Sequence, residues 1–288
     1  MASWLLEHHA IARERFEQAN EILGYDLGKL CVEGPSERLD QTVHSQPALF
    51  TVGVVAAEVL SQIDPDRMAD IGAAAGLSLG EYTAVCFAGG LDFSDALRLV
   101  QRRGEAMQSA ADAVDSAMAS VLGMDDNAVS QLCDSVRQAD EVLVPANLLC
   151  KGNIAVSGHA TAIQRLIPAA TEAGAMKVIP LAVAGAFHTS LMQPAVEALT
   201  AALAEMPIRD LRLPVYSNVD AKPHQSAEEI RELLARQVTE PVQWRSSIEA
   251  MLADGVEAFE ELGTGRVLRG VLKRINRKVS ADGFGDGG

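Results

Sequence analysis

Aromatic residues make up only 4% of this 288-residue chain, and cysteines number just four. Cys31, Cys86, Cys133 and Cys150 show no CxxC spacing and no clustering with histidine. That argues against both a metal site and a disulfide framework, and free thiols in a reducing compartment are the expectation. Long apolar runs are missing too: no stretch of ~18 apolar residues occurs, so no membrane span is expected. The N-terminal segment MASWLLEHHAIARERFEQAN has neither a signal-peptide h-region nor the acid-poor composition of a transit peptide, which predicts a cytoplasmic protein. Basic residues are outnumbered 24 to 39, for a net charge of −15. Such an acidic whole argues against nucleic acid as a partner, because phosphate binding needs clustered cations.

What is present is an enzyme-like alternation of Gly/Ala-rich turns and apolar segments, 48% hydrophobic overall. The length suits one large α/β domain, or a large domain carrying a smaller inserted one. Helical apolar spacing covers 3–23 and ends at Gly24, a natural C-cap. Pro47 is read as opening a second helix whose face is Leu49, Val52, Val55 and Leu60. A small-residue run, 71–75, leads into GLSLGEYTAVCFAGG, whose latter part reads as helix. Leu97, Val100 and Met107 mark a further helix that carries Arg98, Arg102 and Arg103. Near Ala117 the texture changes. Short apolar runs at 119–122, 142–145, 154–157 and 178–183 alternate with helix-like stretches at 126–138 and 160–173. This β-α-β-β-α-β order predicts a small ferredoxin-like α+β unit. The expected layout is a discontinuous large α/β subdomain, 1–116 and 184–280, a small subdomain, 117–183, and a flexible glycine-rich tail, 281–288. Later strands are expected at 213–217 and 258–262, with a helix at 227–238 between them.

One segment departs from the acidic average. RVLRGVLKRINRK carries Arg266, Arg269, Lys273, Arg274, Arg277 and Lys278 with no acid among them. It is either a solvated helix face or a docking surface, and charge alone favours the former.

The chemistry points to Gly76-Leu77-Ser78-Leu79-Gly80. A serine on a sharp strand-to-helix turn, flanked by glycines that remove obstructing side chains, presents its oxygen beside a helix N-terminus. The N–H of Leu79 can there stabilise an oxyanion. The bland alternative is a tight packing turn. A nucleophile requires a base, and there are six histidines. His8 and His9 lie on a surface-type helix, His44 and His224 in polar stretches, and His159 at a turn. His188 sits between an apolar strand and a helix, where it would face a cleft, so it leads the six as the base.

Longer blocks carry a resemblance. GLSLGEYTAVCFAGGLDFSDALRLVQRRGEAMQ, GAFHTSLMQPAVEALTAAL, PVYSNVDAKP, EPVQW and ELGTGRVLRGVLKRI, with YDLGKL and SQPALF, resemble the malonyl-CoA:acyl carrier protein transacylases in sequence and in order. The resemblance implies a large subdomain akin to an α/β hydrolase, with a ferredoxin-like subdomain across the cleft. It implies a ping-pong reaction through a malonyl-Ser78 ester, with His188 as base oriented by a backbone carbonyl. From its place in EPVQW, that carbonyl is expected to be that of Gln243. Arg103 matches the arginine that grips the substrate's free carboxylate, for which a guanidinium offers paired donors. Met107, one turn on, is expected to line the same cleft. Phe187, in Ala-Phe-His, resembles malonyl-specific members, its ring filling the space a methylmalonyl branch requires. Expected partners are malonyl-CoA and acyl carrier protein, with no metal and no cofactor of the enzyme's own. Carrier proteins being acidic, Arg266, Arg269, Lys273 and Arg274 gain weight as their docking surface on what is expected to be a monomer.

Two departures from the family pattern stand out. Leu77 replaces the usual histidine before the serine. Family members also begin with a strand and a Gly-Gln-Gly-x-Gln loop that supplies the second oxyanion donor. Met1 falls beyond that loop, so the natural protein is expected to start ~10–15 residues upstream. Loss of such a donor costs ~100- to 1000-fold in rate. The alternatives are an esterase or thioesterase using the same serine and histidine, a non-catalytic carrier-binding module, and a malonyl transferase serving a polyketide pathway.

Overall fold

The computed structural model describes residues 1–285. Its longest helix, Thr42–Ile63, runs through the centre of the large unit and buries Phe50, Val52, Val55, Val59 and Leu60. Each such side chain contributes roughly 1.5–3 kcal/mol by leaving water. Against it lies the helix Phe93–Asp112, close-packed because Gly104 has no side chain: a Cβ there would stand 3.1 Å from the Thr42 carbonyl oxygen. Thr42–Ile63, though it holds no uninterrupted run of ~18 apolar residues, is the one helix among the described residues long and apolar enough to cross a membrane. Yet 72% of its most apolar window is buried inside the protein, as befits a core helix. Pro47 does not open this helix. It sits inside the second turn, where its missing N–H leaves only the Val43 carbonyl without a helical donor.

The N-terminal pattern likewise divides. Ser3–His8 and Ala10–Leu23 are separate helices, broken at His9 (φ −126°, ψ 123°), and Gly24 closes the second in the left-handed region. The strands of the large unit are short. Ala74–Ala75 pairs in parallel with Val215–Tyr216, which pairs antiparallel with Pro223–His224. Ala258–Leu262 pairs in parallel with Ser280–Phe284. This last pairing corrects the expectation of a flexible 281–288 tail for its first residues. Backbone pairing needs no large side chains, and the Phe284 ring packs edge-on against Trp4 at 5.5 Å. Residues 286–288 lie outside the described residues.

The second unit is a four-stranded sheet in the order Leu143–Cys150, Asn153–His159, Ser116–Leu122, Lys177–Pro180, all antiparallel. With the helices Asp126–Val136 and Ala160–Glu172 on one face, this is the ferredoxin-like arrangement. Strand alternation decides which residues go where. Ala119, Val121, Ile154 and Val156 meet Val129, Ile163 and Leu166 of the helices. Met118, Ala146 and Ala155 face the other way, toward Leu181 and Phe187. Phe187, packed on that face, lines the cleft over the serine turn together with Ala182 and Val183, which follow the last strand. A bridging segment ties the two units: the Val242 N–H donates to the Ala146 carbonyl at 2.8 Å, and the Leu148 N–H donates to the Val242 carbonyl at 2.9 Å. Arg245 adds an ion pair to Asp126 across the same seam.

Candidate active site

Ser78 occupies the turn between the strand Ala74–Ala75 and the helix Leu79–Phe87, with φ 50° and ψ −102°, a strained conformation for a residue with a side chain. Gly76 makes the turn possible, since a Cβ on it would fall 1.9 Å from the Gly80 carbonyl carbon. Asn218 clamps the turn from the side. Its Nδ2 donates to the Gly76 carbonyl at 2.7 Å, and its Oδ1 accepts the Ser78 N–H at 2.6 Å. The elbow is therefore held by a side chain 140 residues away.

His188 is buried and itself left-handed (φ 61°), and its N–H donates to the Val238 carbonyl at 3.1 Å. Its Nδ1 lies 2.8 Å from the Gln237 carbonyl. A carbonyl only accepts, so Nδ1 carries the proton and Nε2 is left with a lone pair. Nε2 stands 2.8 Å from Ser78 Oγ, the geometry in which the hydroxyl donates to the imidazole. Burial, and then the positive charge of Arg103, push the His188 pKa down to about 4. The ring is thus neutral, the form a base requires.

The carbonyl partner corrects one expectation: it belongs to Gln237, not Gln243. Gln243 is the N-cap of the helix Trp244–Ala253, so its carbonyl already accepts the first helical bond, from the Ser247 N–H at 2.9 Å. It also follows Val242, whose backbone is paired with the small subdomain. Gln237 is the C-cap of the helix Ala227–Arg236, where a carbonyl has no helical donor and stays free for the imidazole.

Arg103 is 1% exposed. Its Nη1 donates to Gln46 Oε1 at 2.5 Å, and its Nη2 donates to Gln237 Oε1 at 2.9 Å and to Ser78 Oγ at 3.0 Å. The guanidinium stands 5.0 Å above the Tyr82 ring, and Nε has no partner. All its hydrogen-bond partners are neutral, and burial pulls its pKa down. A buried cation so placed gains strongly from an incoming anion. Arg102, its neighbour, points away to the surface and pairs with Glu205.

A cleft of about 370 Å³ opens over these groups, lined by Gln46, Leu77, Ser78, Leu79, Arg103, Met107, Val183 and Phe187 among others. Leu79 is the first residue of its helix, so its N–H has no helical acceptor and stands beside the serine. Met107 is buried, its Sδ 3.6 Å from Gln46 Nε2, and Phe187 is half-buried on the cleft wall. The structure thus brings Ser78, His188, Arg103, Leu79, Met107 and Phe187 together, and leaves Gln243 outside. Three participants went unread in the sequence: Gln46 and Asn218 lay inside quoted blocks without a role, and Gln237 lay in none. Their common signal is polar character at full or near-full burial, which only the folded chain reveals.

The other histidines lie elsewhere. His159 accepts the Val142 N–H, His44 accepts from Arg38, and His224 sits between Asp220 and Glu229. Among the described residues no three of histidine, cysteine, aspartate and glutamate gather as a metal site. In the basic segment, Arg266, Lys273 and Arg274 are exposed on or beside the helix Val267–Ile275. Arg269 is drawn inward by Glu261 at 3.0 Å, and Lys273 also donates to the Val279 carbonyl at 2.5 Å.

Comparison with known proteins follows the same lines. The model of the acyl transferase domain matches residues 1–281. The malonyl CoA-acyl carrier protein transacylase of Escherichia coli K12 is 39% identical over 278 residues, covering 96% of this chain and 89% of that protein. A solved malonyl CoA-acyl carrier protein transacylase from Coxiella burnetii superimposes with a TM-score of 0.94 at 35% identity, covering 98% of this chain and 88% of the other. A malonyl-transacylase solved in complex with its type II polyketide acyl-carrier protein superimposes with a TM-score of 0.91 at 37% identity, covering 98% and 90%.

Proposed function

The chain belongs to the acyl transferase family, and from that premise we propose that it moves malonyl groups from malonyl-CoA to the phosphopantetheine thiol of acyl carrier protein. The observation that carries the substrate is the buried Arg103, hydrogen-bonded to the nucleophile's own oxygen. A malonyl carboxylate taking two guanidinium N–H groups would bring its thioester carbonyl over Ser78. An esterase acting on neutral esters has no use for that buried cation.

In the first half-reaction Ser78 Oγ attacks the thioester carbon while His188 Nε2 takes the hydroxyl proton. The Gln237 carbonyl, against Nδ1–H, stabilises the imidazolium that forms. The oxyanion faces the Leu79 N–H and the positive end of its helix. Collapse breaks the C–S bond, and His188 returns the proton to the departing CoA thiolate. A malonyl-Ser78 ester remains. In the second half-reaction the carrier's thiol gives its proton to His188 and attacks the ester carbon, and Ser78 recovers the proton as it leaves. The residues named carry the proton transfers of both halves and one oxyanion contact, with phosphopantetheine arriving on the carrier.

Phe187 and Met107 shape the cleft around the malonyl unit, and the ring of Phe187 sits where an added methyl would need room. Arg266, Lys273 and Arg274 form the surface on which we seat the acidic carrier, with the enzyme acting as a monomer. Fatty-acid synthesis is the proposed destination of the malonyl group. A cytoplasmic location fits the four free cysteines, the state a reducing compartment maintains.

The test is the substrate preference of Arg103→Ala. Against wild type, kcat/KM for malonyl-CoA is expected to fall roughly 100-fold, the cost of removing one member of a buried charge pair. Acetyl-CoA should gain in relative terms. An unchanged malonyl-to-acetyl ratio would defeat the substrate assignment.

A further inference from the structure

Glu81 is a carboxylate that the mechanism above does not use. It lies three residues past the nucleophile, in the first turn of the helix Leu79–Phe87, and is fully buried at 0% exposure. Burying a carboxylate costs several kcal/mol unless something compensates. Among the described residues no cation forms an ion pair with it, although the charge of Arg103 acts on it from a distance. Its Oε2 instead accepts two hydrogen bonds, from Gln237 Nε2 at 2.6 Å and from the Asn218 N–H at 3.2 Å, while Oε1 has no partner.

Those two donors are the residues that set the geometry of the reacting groups. Gln237 presents its carbonyl to His188 and its Oε1 to Arg103, and its Nε2 also donates to the Ser78 carbonyl at 2.9 Å. Asn218 fixes the elbow through the Gly76 carbonyl and the Ser78 N–H. The Gln237 amide could not be held this way by rotamer preference alone, since freezing a glutamine side chain costs up to ~2 kcal/mol. A carboxyl group keeps acceptor oxygens in either protonation state, so Glu81 can hold both N–H groups across the pH range in which it titrates. Glu81, with the Ser78 carbonyl and the donor-only Arg103, fixes the orientation of the Gln237 amide. With the NH2 group directed at a carboxylate, the oxygen must face Arg103.

We infer that Glu81 is a positioning residue that holds Gln237 and Asn218, and through them sets the base, the carboxylate-binding arginine and the serine turn in one arrangement. This rests on the acyl-transfer reading. Were Glu81 only a structural acid of the core, its loss would lower stability and leave the chemistry of the folded enzyme alone. Acting as inferred, it should move two catalytic readouts together. Base orientation governs the rate of Ser78 acylation, and Arg103 placement governs the preference for malonyl over acetyl.

The experiment measures single-turnover malonylation of Ser78 per folded enzyme, and the malonyl-to-acetyl ratio, in wild type, Glu81→Ala and Glu81→Gln. Glu81→Ala is expected to slow acylation about 100-fold and lower the ratio about 10-fold. Glu81→Gln keeps an acceptor at the same place and should recover much of both. A Glu81→Ala enzyme that melts earlier, yet acylates at the wild-type rate with the wild-type ratio, would overturn the inference. If Glu81→Ala does not fold, the double-mutant cycle of Glu81→Gln with Gln237→Ala decides. The effect of Glu81→Gln on acylation should largely vanish once Gln237 is truncated, whereas full additivity would overturn the inference. Failure of wild type itself to form a Ser78 adduct would defeat the acyl-transfer reading instead.

Discussion

A histidine buried between a carbonyl and an arginine cannot easily become charged, and His188 shows what that does to pH dependence. With its pKa pushed down to about 4, the base stays ready far below the point where an exposed histidine, near 6.5, would be protonated. Acylation from malonyl-CoA is therefore expected to hold level from pH 8 down past 6 and to fall as pH drops through about 4 (stopped-flow release of CoA measures it). An acid limb centred near 6.5 would contradict the burial argument. The same shift affects stability. The folded value lies below the unfolded one, so the contribution of His188 is present above about 6.5 and is lost as pH falls toward 4. Glu81 has the opposite sign: burial raises its pKa to about 7, so its contribution is present below its ordinary 4.5 and is lost as pH rises to 7. Glu81→Gln should accordingly flatten the stability profile between pH 4.5 and 7, as urea midpoints across that range would report.

Turns and helix ends carry most of the site. The serine elbow depends on the absence of one Cβ. Gly76→Ala would drive a methyl into the Gly80 carbonyl, and it is expected to cost more than about 2 kcal/mol of stability, read as a lower denaturant midpoint at unchanged slope. How legible each element was in the sequence followed from how local its cause is. The strand–turn–helix at Ser78 is written in adjacent glycines, so both the nucleophile and the Leu79 N–H could be named. His188 was named from its place between a strand and a helix. The orienting carbonyl could not be read that way, because any residue has one. Whether it is free depends on which helix ends there, and the C-cap at Gln237 won over the N-cap at Gln243 for that reason. Pro47 misled because the helix opens earlier, at Thr42, and carries the proline inside its second turn at the loss of the bond to the Val43 carbonyl. The polar clamp formed by Asn218, Gln46 and Gln237 joins residues up to 159 apart in the chain, and no local pattern encodes it.

At the scale of the whole molecule, the ferredoxin-like sheet backs Phe187 on the cleft wall and the large unit supplies the chemistry, with Val242 and Arg245 stitching the seam. The change of texture near Ala117 was legible because short apolar runs broken by helix-like stretches replace the long helical spacing there. The net charge of −15 hid a basic surface around the helix Val267–Ile275. On the docking proposal, reversing the exposed Arg266 and Arg274 to glutamate is expected to raise KM for carrier protein about 10-fold, more at low salt, while CoA release from malonyl-CoA in the first half-reaction stays unchanged. A carrier KM that does not move would shift docking to another face. The central claim, that Ser78 accepts the malonyl group, is tested most directly by exposing the enzyme to malonyl-CoA without carrier and mapping the modified peptide by mass spectrometry. The account requires one malonyl group per chain on the peptide containing Ser78, removed on addition of carrier thiol and absent from Ser78→Ala. An adduct that persists in Ser78→Ala, or no adduct in wild type, would contradict it.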